Sequence, residues 1–308
     1  MDYDTFLNLE MAEVAQIVQS RGLRVCAFIF NGTRRWFILE HAQPEEDFAL
    51  AYLEATSKRL VELSQLLFDH GIQTLLLPAF NPQLMARGER YVKMMGEGLS
   101  QLTSHPRFLD FYEAYDVRVR FYGEHRQCLA NTPYAHLSEQ FDQVTARTLA
   151  HTKHQLLFGI CAHDATETLA ALAVRYYQEH GKIPDKQALV EMYYGEYIPP
   201  ANLFIGSGKL HASDMPLMTV GKEQLYFCVA PAFYLDQVQL RTIFYDYLYA
   251  RTAKRVNYEA LQPEDWMALR QFFQANQGKT LGVGARNKEW DMWHPTPQVT
   301  LPEGFLEE

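Results

Sequence analysis

Short apolar runs that alternate with helical stretches constrain this chain more than any other feature. Residues 23–30, Leu-Arg-Val-Cys-Ala-Phe-Ile-Phe, are β-rich and end at Asn31-Gly32, the pattern of a buried strand feeding a tight turn. From Asp47 to His70, Phe48, Tyr52, Leu53, Leu60, Leu63 and Leu67 recur at helical spacing, and Gly71 closes the run as a C-cap. Thr74–Phe80 is a second apolar strand run, followed by a helical stretch over 82–102 and a short helix near Phe108–Ala114. Val117–Tyr122 alternates and stops at Gly123, residues 134–153 predict a polar helix, and Gln155–Cys161 predicts a fourth strand. Helices over 164–180 and 185–193, strands over 202–205 and 224–229, an aromatic helix over 232–250 and a last helix over 263–275 complete the pattern. The tail after Gly278 predicts no regular element. Strands alternating with helices imply an α/β chain with a mostly parallel sheet flanked by helices. No repeat, low-complexity segment or linker divides it, so residues 1–308 are expected to be a single domain, with its core over about 20–275.

At 308 residues and 48% hydrophobic, the chain can bury one sizeable core. A formal net charge of -9 argues against a nucleic-acid partner, which needs a basic footprint. Cys26, Cys128, Cys161 and Cys228 form no CxxC pair, so neither a disulfide scaffold nor a zinc ribbon is expected. Cys26, Cys161 and Cys228 lie in apolar runs and read as buried small hydrophobes. The N-terminus is acidic where a signal peptide is basic, and no apolar run reaches membrane-spanning length. A cytoplasmic protein without a membrane span is expected.

The turn after the first strand carries the chemistry. Asn31-Gly32-Thr33-Arg34-Arg35-Trp36 joins backbone N–H groups to two guanidinium forks, a combination that can grip one diphosphate. Taken alone, a β-turn with two solvated arginines is the simpler reading. The surrounding segment, Ala27–Trp36, resembles the first signature of the cis-prenyltransferase (undecaprenyl diphosphate synthase) family: an apolar strand, Asp-Gly-Asn, and Arg-Trp. Gly71–Asn81, Val117–Glu124, Phe158–Ala170 and Asp214–Gly221 fall, in order, where that family carries its later motifs. The pieces 32–37, 67–72, 193–197, 230–234 and 281–284 resemble one small bacterial branch, the tuberculosinol or tuberculosinyl-adenosine synthase and kolavelool synthase type.

The resemblance implies a cis-prenyltransferase-like fold and an isoprenoid diphosphate substrate. Gly32, Thr33, Arg34 and Arg35 would bind the diphosphate, and Asn31, Arg34, Arg35 and Tyr52 would act in catalysis. Phe30, Trp36, Phe80, Asn81 and Tyr91 would line a hydrocarbon pocket. Mg²⁺ would accompany the diphosphate, and a homodimer is implied, through the aromatic helix 232–250. Asn31 replaces the family's aspartate and keeps only one carbonyl oxygen as a metal ligand. The family's second diphosphate site needs arginines, but Met218–Phe227 contains none, and Lys222 is a single point charge. The expected activity is therefore that of a diterpene synthase. It would ionise a bicyclic C20 allylic diphosphate of the kolavenyl or tuberculosinyl type and quench the cation with water, giving an alcohol such as kolavelool. Transfer to adenosine, chain elongation and a non-catalytic partner subunit are the alternatives.

Tyr52 has two open roles, hydrogen-bonding the diphosphate and packing a helix face. His151 and His154 have ligand-like spacing, but a solvated helix face explains them better than a zinc site.

Overall fold

A computed structural model describes residues 1–41, 48–80, 88–162, 164–211, 215–251, 258–287 and 293–299. Asn81 and Asp214 lie outside the described residues. Two N-terminal helices, α1 (Tyr3–Leu7) and α2 (Met11–Ser20), precede the first strand. The sequence patterning leaves them unassigned, yet Phe6, Val14 and Val18 are fully buried.

Six strands form one sheet: β1 (Val25–Phe28), β2 (Thr74–Phe80), β3 (Val117–Tyr122), β4 (His154–Ile160), β5 (Leu203–Ser207) and β6 (Gln224–Cys228). Their order is β3-β4-β2-β1-β5-β6 and every pair is parallel. The alternation along each strand shows why both faces must be covered. Cys26 and Phe28 of β1, Leu75 and Leu77 of β2, and Leu156, Phe158 and Ile160 of β4 enter one core cluster. Val25 and Ala27, Leu76, and Leu157 enter the other. The first face is covered by α4 (Phe48–Asp69), α5 (Glu89–Ser104), α6 (Pro106–Ala114), α8 (Leu137–Arg147) and α11 (Gln237–Tyr245). On the second face Val190, Tyr193 and Tyr194 of α10 (Lys186–Tyr194) are buried. Helix α9 (Thr166–His180) buries no residue. Pro78, which cannot donate to a ladder, sits where the β2–β4 register shifts.

Several expectations are corrected. Residues 31–36 are not a loop throughout, because Thr33–Glu40 forms helix α3. A short helix α7 (His125–Leu129) precedes α8, which ends at Arg147 rather than 153. His151 and His154 therefore lie on no solvated helix. His154 opens β4, is 5% exposed, and stacks on Phe68 at 4.2 Å. His151 Nδ1 lies 2.9 Å from the Val117 carbonyl oxygen. The aromatic helix 232–250 is broken into a 3-10 turn over Ala232–Tyr234, α11, and a π turn over Asp246–Ala250. Its rings pack within the chain, Tyr245 and Tyr249 against Phe6. After α12 (Pro263–Asn276) the tail forms an antiparallel pair, β7 (Gly284–Arg286) with β8 (Trp293–Pro295).

The cysteine expectation also changes. Cys128 and Cys161 form a disulfide, with Cα atoms 6.5 Å apart. It links α7 to the residue following β4. Cys26 and Cys228 are free and buried, as their apolar runs imply. No helix among the described residues is long and apolar enough to cross a membrane.

Candidate active site

The site grows out of the carboxyl end of β1, where ligands collect in open parallel sheets. The Ile29 N–H donates to the Ile205 carbonyl at 2.8 Å, and the Asn31 N–H turns back to the Ile29 carbonyl at 2.9 Å. Gly32 then takes φ +80°, ψ 14°, a left-handed conformation that reverses the chain directly into α3. Gly32 is the N-cap of that helix, and no side chain caps it. The first N–H groups of α3 thus have no intrahelical acceptor and lie at the positive end of the helix dipole. Arg34 and Arg35 occupy the same first turn and are exposed. A helix N-terminus with two added guanidinium groups suits one anion of diphosphate size.

The turn is braced from behind. The Asn31 carbonyl accepts the Ser207 hydroxyl at 3.1 Å and the Ala232 N–H at 3.1 Å. Pro231 packs so closely on Gly32 that a Cβ there would lie 3.1 Å from the proline Cβ. Phe233, two residues on, stacks with Phe30 at 6.2 Å and meets the edge of Trp36 at 5.2 Å. Arg59 of α4 holds that segment: its Nε donates to the Phe233 carbonyl at 2.9 Å and a terminal nitrogen donates to the Leu235 carbonyl at 2.8 Å.

Tyr52 is tied to the same turn. Its phenol oxygen lies 2.7 Å from the Thr33 hydroxyl, and its ring packs against the core. Burial raises its pKa, and the Thr33 hydrogen bond and the Arg34 charge only oppose that shift; at neutral pH it is an un-ionised phenol. Phe37, Phe48 and Tyr52 form an aromatic wall, with Phe37–Tyr52 centroids 5.5 Å apart and Phe48–Tyr52 stacked at 6.0 Å. The Arg34 guanidinium lies 5.7 Å from the Phe48 ring centre, within cation–π range. Tyr91 of α5 acts electrostatically on Tyr52, which places it near the same wall. Phe80 is buried at the end of β2. Of the residues expected in a hydrocarbon pocket, Phe30 and Trp36 meet through Phe233.

Sequence patterning passed over Arg59, Ser207, Pro231 and Ala232 as site residues. The 230–234 piece carries part of the resemblance but points to no role for Pro231 or Ala232. Ser207 sits beside a loop glycine, and an arginine reaching carbonyls on a distant turn has no local signature.

The stretch over 218–227 is held largely by internal contacts. Met218 is fully buried, and the Glu223 carboxylate accepts the N–H groups of Val220 and Lys222 at 2.9 and 3.0 Å. The Tyr226 hydroxyl donates to Asp246 at 2.8 Å, and Arg251 also engages Asp246, at 2.6 Å. Burial, then the Asp246 hydrogen bond, pushes the Tyr226 phenol well up. Among the described residues no group of three or more His, Cys, Asp or Glu is placed to hold a metal ion. Asn31 offers one amide oxygen, so these residues do not form a protein-built metal centre.

No family model matches the chain. It is 38% identical over 281 residues, 91% of its length and 94% of the relative's, to a tuberculosinyl adenosine transferase of Mycobacterium tuberculosis. It is 24% identical over 297 residues to a (+)-kolavelool synthase of Herpetosiphon aurantiacus, covering 94% of each chain. Lavandulyl diphosphate synthase of Lavandula x intermedia, solved with dimethylallyl diphosphate, superposes with a TM-score of 0.61 at 14% identity over 75% of this chain and 97% of its own. A probable undecaprenyl diphosphate synthase of Campylobacter jejuni gives 0.55 at 16% identity, over 76% and 97%. These two structures establish a cis-prenyltransferase-like fold.

Proposed function

The chain belongs to the family of tuberculosinyl adenosine transferase, and on that premise we propose that it ionises a bicyclic C20 allylic diphosphate of the kolavenyl or tuberculosinyl type. Membership makes it an enzyme of terpenoid chemistry. One observation carries the finer reading. The uncapped N-terminus of α3 with Arg34 and Arg35 is one complete anion platform, whereas residues 218–227 hold Lys222 as their only cation. One diphosphate binds and leaves; residues 218–227 offer a second no comparable cluster of cations.

The α3 N–H groups and the arginines hold the diphosphate and stabilise the charge that grows as the allylic C–O bond breaks. Preorganised donors aimed at developing charge are usually the largest catalytic contribution. The bonding electrons leave with the diphosphate, and the partly exposed rings of Phe48 and Tyr52 would stabilise the cation. A neutral nucleophile then adds to the cation and sheds a proton. Adenosine is placed first as that nucleophile because the 38% identical relative is named for its transfer. Water, the nucleophile expected from the sequence, is the second reading, supported by the similarity to the kolavelool synthase along 94% of the chain. Mg²⁺ is part of the proposal as a companion of the diphosphate, whose charge it would neutralise, with the Asn31 amide oxygen as its one protein ligand. A homodimer is also proposed, to be tested by sedimentation.

The test is an incubation with kolavenyl and tuberculosinyl diphosphates, with and without adenosine and labelled isopentenyl diphosphate, read by mass. Diphosphate release with a diterpenyl adenosine product is expected. An alcohol alone, with adenosine present, moves the assignment to water. Label from isopentenyl diphosphate in a longer product would refute the single-diphosphate site.

A further inference from the structure

Arg59 is connected to the first turn of α3 through the segment that its hydrogen bonds hold. Its fork reaches across from α4 to the carbonyls of Phe233 and Leu235, at 2.9 and 2.8 Å. Both carbonyls lie in the segment whose Ala232 N–H donates to the Asn31 carbonyl at 3.1 Å. The same segment presses Pro231 on Gly32 and sets Phe233 against Phe30 and Trp36. The remaining guanidinium nitrogen pairs with Glu62 at 3.1 Å. Only about a quarter of the Arg59 side chain is exposed (26%), so water competes weakly for its donors. A planar fork that holds two carbonyls fixes a backbone segment in orientation as well as position, which an ammonium cannot do.

The geometry points to Arg59 as a positioning residue for the diphosphate platform. It locks the 231–235 segment, and that segment sets the plane of the Asn31–Gly32 peptide and hence the direction of the α3 N–H groups. This inference rests on the reading of α3 as the diphosphate site. The consequence is a division of labour in which Arg34 and Arg35 supply charge while Arg59, aimed away from the ligand, supplies alignment. Alignment matters most when charge develops on the leaving group, so its loss falls on the chemical step more than on ground-state binding.

The experiment compares Arg59→Ala, Arg59→Lys, Glu62→Gln and Arg34→Ala, each checked for folding by thermal unfolding. Binding of inorganic pyrophosphate is measured by calorimetry, and kcat and KM are measured on the C20 diphosphate the unsubstituted chain turns over. A misplacement on the ångström scale costs about 10²-fold in rate, so Arg59→Ala should lose kcat by about that factor with a smaller change in KM. Added guanidinium ion should restore part of the kcat of Arg59→Ala. Arg59→Lys should recover little, and Glu62→Gln, which keeps both carbonyl contacts, should behave as the unsubstituted chain. A folded Arg59→Ala with full kcat overturns the inference, as does a loss of kcat that guanidinium leaves untouched. If Arg34→Ala also keeps pyrophosphate binding and turnover, the platform itself is misassigned. If Arg34→Ala loses them and Arg59→Ala does not, only the role of Arg59 falls.

Discussion

Replacing Gly32 with alanine probes the turn that creates the platform. Its φ of +80° costs an L-residue with a Cβ about 1–2 kcal/mol. The added methyl would also sit 3.1 Å from Pro231 Cβ and 3.4 Å from Pro231 Cα and Cγ. A proline ring cannot rotate away, and the carbonyls two and four residues on are held by Arg59. Forcing a methyl into such a contact adds about 1–3 kcal/mol, so the two effects together predict about 2–5 kcal/mol for Gly32→Ala. Gly22 supplies the control, since its φ is +76° and a Cβ there would meet nothing within 4 Å. Gly22→Ala should therefore lose only the conformational share. Urea unfolding of both variants gives the difference, and turnover shows whether the strain has instead been relieved by moving the turn. Equal stability losses together with undiminished turnover in Gly32→Ala would refute the idea that Pro231 fixes this turn.

Arg34→Ala and Arg35→Ala should each weaken inorganic pyrophosphate binding by about 2 kcal/mol or more, with unfolding unchanged because both side chains are exposed; calorimetry beside thermal unfolding checks both parts. Asn31→Asp should raise turnover on the true diphosphate at least about tenfold and steepen its Mg²⁺ dependence, and rate measurements over a Mg²⁺ series would show neither change if the amide is the functional choice. His154 should make stability depend on pH. Burial, then the Lys153 charge, lowers its folded pKa to about 4 from 6.5, so its neutral form stabilises fully above 6.5 and that stability is lost as pH falls toward 4, by at most about 3 kcal/mol. His154→Leu should flatten this pH dependence in chemical unfolding.

The central strands were legible because β1 and β5 are buried along their whole length, whereas the edge strand β3 was legible from its alternation. Val25–Phe28 falls inside the predicted run for that reason, and Leu203–Ser207 overlaps the run predicted over 202–205 and extends two residues past it. Helix α3 was not legible, since Asn-Gly announces a turn and nothing in Thr-Arg-Arg-Trp says that the helix begins at once. His154 was misplaced because a polar helix was extended right up to it and its spacing from His151 was read as a helix face, whereas its ring is an aromatic core residue stacked on Phe68. The Cys128–Cys161 link spans 33 residues and joins a helix to a strand end, so no spacing rule could indicate it. In the candidate site, the charged pair and Tyr52 could be read from motif and helical spacing. The bracing residues Arg59, Ser207, Pro231 and Ala232 could not, because their roles arise only when distant segments meet.

The position of β1 between β2 and β5 has a consequence for how the platform comes into being. A growing chain can pair β1 with β2 early, but the hydroxyl that steadies the Asn31 carbonyl arrives 176 residues later, on Ser207. Contacts at such separation must overcome loop-closure entropy before they contribute, which makes parallel sheets slow to complete. On the proposed reading, folding of the last third of the chain would complete an anion site whose arginines, Arg34 and Arg35, were synthesised within the first forty positions. Fragments ending before β5 would carry the arginines and the aromatic wall but lack the brace that orients them, so competence to bind diphosphate should appear only as β5 and the 231–235 segment dock.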